Sequence, residues 1–393
     1  MSKRIAIVGG GYIGVQLAKS LDEHADVTLI EPRSHLVHTP AMIRAVVDPS
    51  LTDRALIPYD RLLKNGKVLR ARAGGVDANG VTLENGQRVE ADYIVVATGS
   101  SNATPFKPVG DDIEGLREAN QRIHDQLMAA RSIGIVGAGA VGTELAGEIA
   151  HAMPDKKITL ISDTDRLFPT MPEKLGIALV GKLRDMGVNL ILGKRAENLQ
   201  SMTEPYAGSL TLSDGSEHEF DLIFPVLGSR ASSELIEVLP DTQMSTANRV
   251  KVDPWLRLSS LPNVFAAGDV SDAGDGMTIV AASRQQPWLK STLKALMAGK
   301  TLEEGKPYKP WGPKSADPGT ARPETRQFLP RPVHRRGLGD AQDEGRGSVP
   351  QEILQAAEPG LSDGEAGHRT PWAFRLTRAS LRHDLARRPG SRP

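Results

Sequence analysis

The sequence predicts an α/β fold of two Rossmann-like, three-layer domains, because one pattern occurs twice: apolar run, glycine-rich turn, helical stretch, second apolar run. The two turns begin at Gly9 and Gly137, 128 positions apart. Apolar runs that belong to neither pattern come late, at residues 221–224 and 263–266. They suit an architecture in which the second domain is inserted in the first. The expected divisions are residues 1–117 and 253–313 for the outer domain and 118–252 for the inserted one. A tail at 314–393 follows.

Residues 5–8 (IAIV) read as a buried parallel strand, with apolar side chains toward both faces. Gly9-Gly10-Gly11-Tyr12-Ile13-Gly14 follows, with the G-x-G-x-x-G spacing. Gly9 permits the tight turn, Gly11 lets backbone approach a pyrophosphate, and Gly14 allows close packing of helix on strand. A helix is expected over 12–23 and a strand over 27–30. That strand ends at Glu31, whose carboxylate can accept from ribose hydroxyls. Residues 93–96 (YIVV) form another buried strand, stopping at Ala97-Thr98-Gly99.

The second unit repeats these parts. Residues 132–136 form its strand and Gly137-Ala138-Gly139-Ala140-Val141-Gly142 its turn. A helix runs to about 149, and a strand covers 157–161. In register with Glu31 stands Ser162, followed by Asp163 and then Arg166. A clear Glu would point to NADH and an Arg cluster to NADPH. This set decides neither, although Asp163 would repel a 2′-phosphate and so leans toward NADH. Further on, Gly268-Asp269 closes an apolar run. Asp269 is placed either to accept a ribitol hydroxyl of a flavin nucleotide or to cap a helix. A helix directly after it would aim its positive end at the flavin pyrimidine. Another helix is expected over 278–297.

Composition sets limits. The chain has 393 residues, zero formal net charge and no cysteine. Zero net charge gives no global attraction to nucleic acid. No run of eighteen apolar residues suggests a membrane span, and a cytoplasmic place is the default. Without thiols there is no disulfide relay, so electrons must leave a bound flavin directly. His35 and His38 lack partners at metal-ligand spacing and read as loop histidines. After Pro313 the composition changes: residues 314–393 hold one Lys and thirteen Arg, with little apolar periodicity. Such a segment is expected to be disordered, with at most a helix near 351–357. A shift of coding frame near residue 315 would produce such a composition.

The four glycine motifs, in this order and spacing, resemble the pyridine nucleotide–disulfide oxidoreductase superfamily. Residues 35–44, 281–287 and 308–312 add detail. Lacking cysteine, the chain is similar to the branch related to type II NADH dehydrogenases, and to apoptosis-inducing-factor-like and ferroptosis-suppressor-type NAD(P)H:quinone oxidoreductases. The resemblance covers about residues 3–313. It implies FAD at Gly9, Gly11, Gly14, Glu31, Arg44, Gly99 and Asp269, with a backbone contact to adenine near Ala73. It implies NADH or NADPH at Gly137, Gly139, Gly142, Ser162, Asp163 and Gly228. Gln285 and Gln286 fall where relatives place glutamine near flavin and quinone; the competing reading is a solvated helix face. Lys107 could reach the flavin edge, but reads better as a surface lysine.

The function so implied is hydride transfer from NAD(P)H to FAD, then electron transfer to a quinone or other small acceptor. Peripheral membrane contact and a homodimer are compatible with it. One alternative is a ferredoxin- or rubredoxin-type reductase. Another is a non-enzymatic flavin- or NAD-binding interaction protein. The tail departs from the family, whose members end in an apolar, partly helical region that shapes the acceptor site.

Overall fold

The computed structural model describes residues 2–169, 173–258 and 260–310. The expectations for 314–393, and the residues Trp311 and Gly312, lie outside the described residues.

Strand β1 (Arg4–Val8), helix α1 (Tyr12–Leu21) and strand β2 (Asp26–Ile30) form the first unit. After its first residue each strand is buried throughout, as expected when helices and loops cover both faces. β1 lies in the middle of a six-stranded sheet, parallel to β2 on one side and to Tyr93–Val96 on the other. Lys67–Leu69 extends the sheet beyond β2, and Leu261–Ala266 then Arg257–Leu258 extend it the other way. α1 buries Ile13, Leu17, Ala18 and Leu21, and they join Ile5, Ile7, Val27 and Leu29 of the sheet in one cluster.

The second unit repeats this with β3 (Ser132–Val136), α2 (Ala140–Ala152) and β4 (Lys157–Ile161). Its five-stranded sheet runs Asn189–Ile191, β4, β3, Glu217–Pro225, Tyr206–Thr211, the last strand antiparallel. The late run at 221–224 thus belongs to this sheet, and only the run at 263–266 completes the first one.

A short antiparallel ribbon links the two units. Ser100–Ser101, just past Gly99, pairs antiparallel with Arg230–Ala231, just past Gly228. Ser232 N donates to Gly99 O at 2.9 Å, and Thr98 Oγ1 donates to Ser232 O at 2.6 Å. The return therefore comes earlier than the expected boundary at 252. Ile236 and Val250 already pack with Ala6, Val8 and Val264 of the first sheet, and Val250–Lys251 pairs with Ser271–Asp272. These elements of two to four residues are too short to carry a legible period.

The units share a core. Ile43, Val46 and Phe106 pack in one cluster with Ile133, Leu145 and Ile149. The long helix α3 (Ile279–Met297) starts at Thr278, whose Oγ1 accepts from Ala281 N at 3.1 Å. It packs Leu289 and Leu293 into the cluster that holds α1. Among the described residues, no helix is long and apolar enough to cross a membrane.

Candidate functional site

The two glycine turns have the same geometry. Gly11 sits at φ −74°, ψ −168° and Gly139 at φ −74°, ψ −167°, each just before its helix. Gly9 and Gly137 have φ of +104° and +112°, the left-handed region that glycine tolerates. A Cβ on Gly9 would lie 2.3 Å from Ala97 O, and one on Gly137 would lie 2.2 Å from Val226 O. A Cβ on Gly14 or Gly142 would strike the carbonyl of Gly9 or Gly137, at 1.8 and 1.9 Å. At Gly11 and Gly139 a Cβ would meet nothing within 4 Å. Each turn therefore has two glycines that let the backbone close and one that leaves open space before a helix N-terminus. A pyrophosphate needs that space.

The strand ends match as well. Glu31 N donates to Leu69 O at 3.1 Å, and Ser162 N donates to Ile191 O at 2.9 Å. The register that equates Glu31 with Ser162 thus has a direct structural counterpart. The buried Glu31 carboxylate accepts from Gly10 N at 2.6 Å and Arg33 N at 3.0 Å. Its remaining lone pairs are available to a ribose. Ser162 is buried and lies 2.9 Å from Thr164 Oγ1, while Asp163 next to it is exposed.

The pyridine nucleotide-disulphide oxidoreductase family matches this chain over residues 59–292, and a second profile of the same description matches residues 4–86. Apoptosis-inducing factor homolog B of Dictyostelium discoideum is 32% identical over 331 residues, covering 79% of this chain and 86% of that protein. The chain belongs to the pyridine nucleotide-disulphide oxidoreductase family. Human ferroptosis suppressor protein 1 is 26% identical, covering 68% of this chain and 74% of that one. Among solved structures, a ferredoxin reductase of Rhodopseudomonas palustris superposes with a TM-score of 0.61 at 19% identity, covering 78% of each chain. The NADH-bound, water-forming NADH oxidase of Lactobacillus brevis gives 0.55 at 20% identity, covering 74% of this chain and 69% of that one. These two show the shared fold.

FAD and NAD(P)H are the cofactors of this family member, and two open cradles with a buried carboxylate at one strand end fit two dinucleotides. The structure also gathers a polar cluster at the Asp269 turn. Asp269 Oδ2 accepts from Ser100 Oγ at 2.6 Å, and Lys107 Nζ donates to Ser100 O at 2.6 Å and approaches its Oγ at 3.0 Å. Lys107 is thus not the surface lysine favoured from sequence. It is half-buried beside the Asp269 turn, and burial pulls its amine below the usual lysine range. No long helix follows Asp269 directly. The turn Gly268–Val270 is one 3-10 turn leading into a strand, because Val270 and Ser271 are needed in the core.

Tyr12, at the start of α1, belongs to a second polar group. Tyr12 Oη lies 2.8 Å from His38 Nδ1. Burial raises the Tyr12 phenol above its ordinary range, and the charges of Glu144 and Asp269 add to the effect. The His38 imidazole is pulled down by burial and by Arg44. Arg44 forms an ion pair with Glu148 across the two units at 3.3 Å. Glu144, one helical turn before Glu148, is pushed up to about 7 by burial and then by Glu148. The Tyr12–His38 and Arg44–Glu148 pairings were not legible, because each joins residues far apart in sequence. His35 rests on Ser34, and among the described residues no cluster could hold a metal ion.

Gln285 is fully buried, so the solvated-face reading fails for it. Its Oε1 accepts from Gly268 N at 2.7 Å and its Nε2 donates to Asp275 Oδ2 at 2.8 Å. Both ends of the amide are engaged behind the Asp269 turn. Tyr308 Oη donates to the same Asp275 oxygen at 2.6 Å, and Arg249 Nε donates to Asp269 O at 3.1 Å. This buried network fixes the turn; sequence reading named Gly268, Asp269, Gln285 and the stretch starting at Tyr308, but missed Asp275 and Arg249. Gln286 turns instead toward Ser20 Oγ of α1, at 3.3 Å. Ala73 packs on the cluster containing Ile30, next to Glu31. Gly228, at φ +108°, follows Val226 at the exit of the second unit as Gly99, at φ +72°, follows Ala97 in the first.

Proposed function

We propose that this chain takes hydride from NAD(P)H and delivers two electrons to a quinone-like acceptor, with FAD in the first cradle and NADH or NADPH in the second. The observation that carries this reading is a pair of matching glycine cradles in a chain with no cysteine. Bound FAD supplies the redox chemistry, accepting hydride and releasing electrons. The protein supplies position and electrostatics. Gly9, Gly11 and Gly14 shape the FAD pyrophosphate site, Glu31 orients the adenosine ribose, and Ala73 supports the adenine side. Arg44 offers positive charge near the phosphates. Asp269, braced by Ser100, Lys107 and Arg249, accepts from the ribitol, and Gly99 leaves room at the strand exit. Gly137, Gly139, Gly142 and Gly228 shape the second site, with Ser162 and Asp163 at its ribose. The Glu144 carboxyl, near 7, can hold or release a proton around neutrality.

The absence of thiols favours a small acceptor that reaches the flavin itself. Contact with a membrane surface, where quinones dissolve, and a homodimer extend the reading. The test is an anaerobic titration of the full chain with NADH, followed by a panel of acceptors. Flavin absorbance should bleach with about one equivalent, and short-chain quinones should restore it. Bleaching by NADPH alone would reverse the NADH leaning at Asp163. Turnover with a small iron–sulfur protein and none with quinones would replace the quinone reading.

A further inference from the structure

We infer that Tyr59 is a positioning residue that clamps the first glycine turn and makes it the retentive nucleotide site, whereas the second turn is left unclamped for exchange. This rests on the assignment of FAD to the first cradle.

The inference starts from a glycine that the G-x-G-x-x-G pattern does not require. Gly10 occupies a free position of the motif, yet it has no room for a side chain. A Cβ there would lie 2.5 Å from Tyr59 Oη and 2.8 Å from Glu31 Cγ. Both neighbours hold the backbone of Gly10: Tyr59 Oη donates to its carbonyl at 2.7 Å, and Glu31 Oε2 accepts from its N–H at 2.6 Å. Tyr59 is 6% exposed and Glu31 5%. The residue before Gly11 is therefore fixed from two sides by buried side chains.

Tyr59 is itself held firmly. It follows the antiparallel pair His35–Val37 and Leu56–Pro58. Its N–H donates to Ser34 O at 3.2 Å, and its carbonyl accepts from Leu62 N at 3.0 Å. Burial, then the Glu31 charge, pushes the phenol above its ordinary range, so it remains an O–H donor at any working pH.

The second turn offers a control within the same chain. Ala138 stands at the matching position, with a methyl group in place. Among the described residues its carbonyl receives Thr143 Oγ1, at 3.3 Å, from the adjoining helix. The Ser162 hydroxyl, at the position of Glu31, pairs with Thr164. Among the described residues, no side chain from another element bonds the backbone of Ala138. Two turns with the same backbone angles thus differ in what holds them. A turn held in its bound form before the ligand arrives loses less freedom on binding and releases its ligand more slowly.

The experiment compares the full-length wild type with Tyr59→Phe and Gly10→Ala. FAD release is followed by recovery of free-flavin fluorescence after dilution, alongside NADH affinity and thermal melts of apo- and holoprotein. Tyr59→Phe keeps the ring and removes the donor, and should release FAD roughly fivefold faster, the effect of one hydrogen bond. NADH affinity should not change. Gly10→Ala probes the clamp from the other side and should release FAD faster still. A purely structural tyrosine would lower the apo and holo melts equally and leave FAD release unchanged, which overturns the inference. So would wild-type release rates in Gly10→Ala. A wild type that binds NADH but never FAD would instead sink the assignment of the first cradle.

Discussion

Glu144 carries a pH dependence that can be worked out from its surroundings. Its carboxyl rises from 4.5 to about 7 through burial and the neighbouring Glu148, with Arg44 pulling it partly back. Between those values the folded protein keeps a proton that the unfolded chain has lost. Stability therefore declines as pH rises from about 4.5 to about 7 and levels off above. Glu144→Gln has no such decline. It should match wild type at pH 4 and exceed it at pH 8, by up to roughly 3 kcal/mol, since each tenfold change is worth about 1.4 kcal/mol. Thermal melts across that range check it, and parallel curves would mean that Glu144 behaves as an ordinary exposed carboxylate. At this scale sequence reading was weakest. Tyr59 and Arg249 draw their character from partners distant in the chain, and nothing in their local spacing announces it; for Glu144 the i,i+4 spacing to Glu148 is visible, but not the burial that raises it. Lys107 was misjudged for the same reason: its burial comes from Ser100 and the Asp269 turn, which only the fold brings beside it.

The repeated strand–turn–helix element is where sequence and structure agree most closely. A left-handed φ and a blocked Cβ leave glycine as the residue that fits Gly9 and Gly137, so local backbone sterics write the motif directly into the sequence. The geometry also sorts the glycines by the damage that a substitution does. A side chain at Gly11 or Gly139 enters open space, so Gly11→Asp and Gly139→Asp should fold while filling a pyrophosphate site with negative charge. Gly11→Asp protein should purify colourless, whereas Gly139→Asp should stay yellow and resist bleaching by NADH. A yellow Gly11→Asp protein, or normal bleaching of Gly139→Asp, would reject the assignment of that cradle. Gly14→Ala should damage the fold itself, because its methyl strikes Gly9 O. The shorter strands escaped notice because a run of two or three residues has no period to read.

For the molecule as a whole, the shared core decides how the two units unfold. Phe106 is fully buried in the cluster that joins Ile43 and Val46 of the first unit to Ile133, Leu145 and Ile149 of the second. Phe106→Ala should cost about 3 kcal/mol or more, as large-to-small changes in a packed core do. Because the cluster spans both units, the cost should appear in a single thermal transition. Two separated transitions in calorimetry of the variant would show that Phe106 was what coupled them. The inserted arrangement was legible because the motifs nest in order. The return point was not, because Arg230–Lys251 packs on the first sheet through isolated apolar residues such as Ile236 and Val250.

The short ribbon of Ser100–Ser101 against Arg230–Ala231 has a mechanical consequence. It bonds the strand exit of one unit, just past Gly99, to that of the other, just past Gly228. A displacement of either exit is therefore carried through backbone hydrogen bonds to the other, and the core that both units share resists their separation.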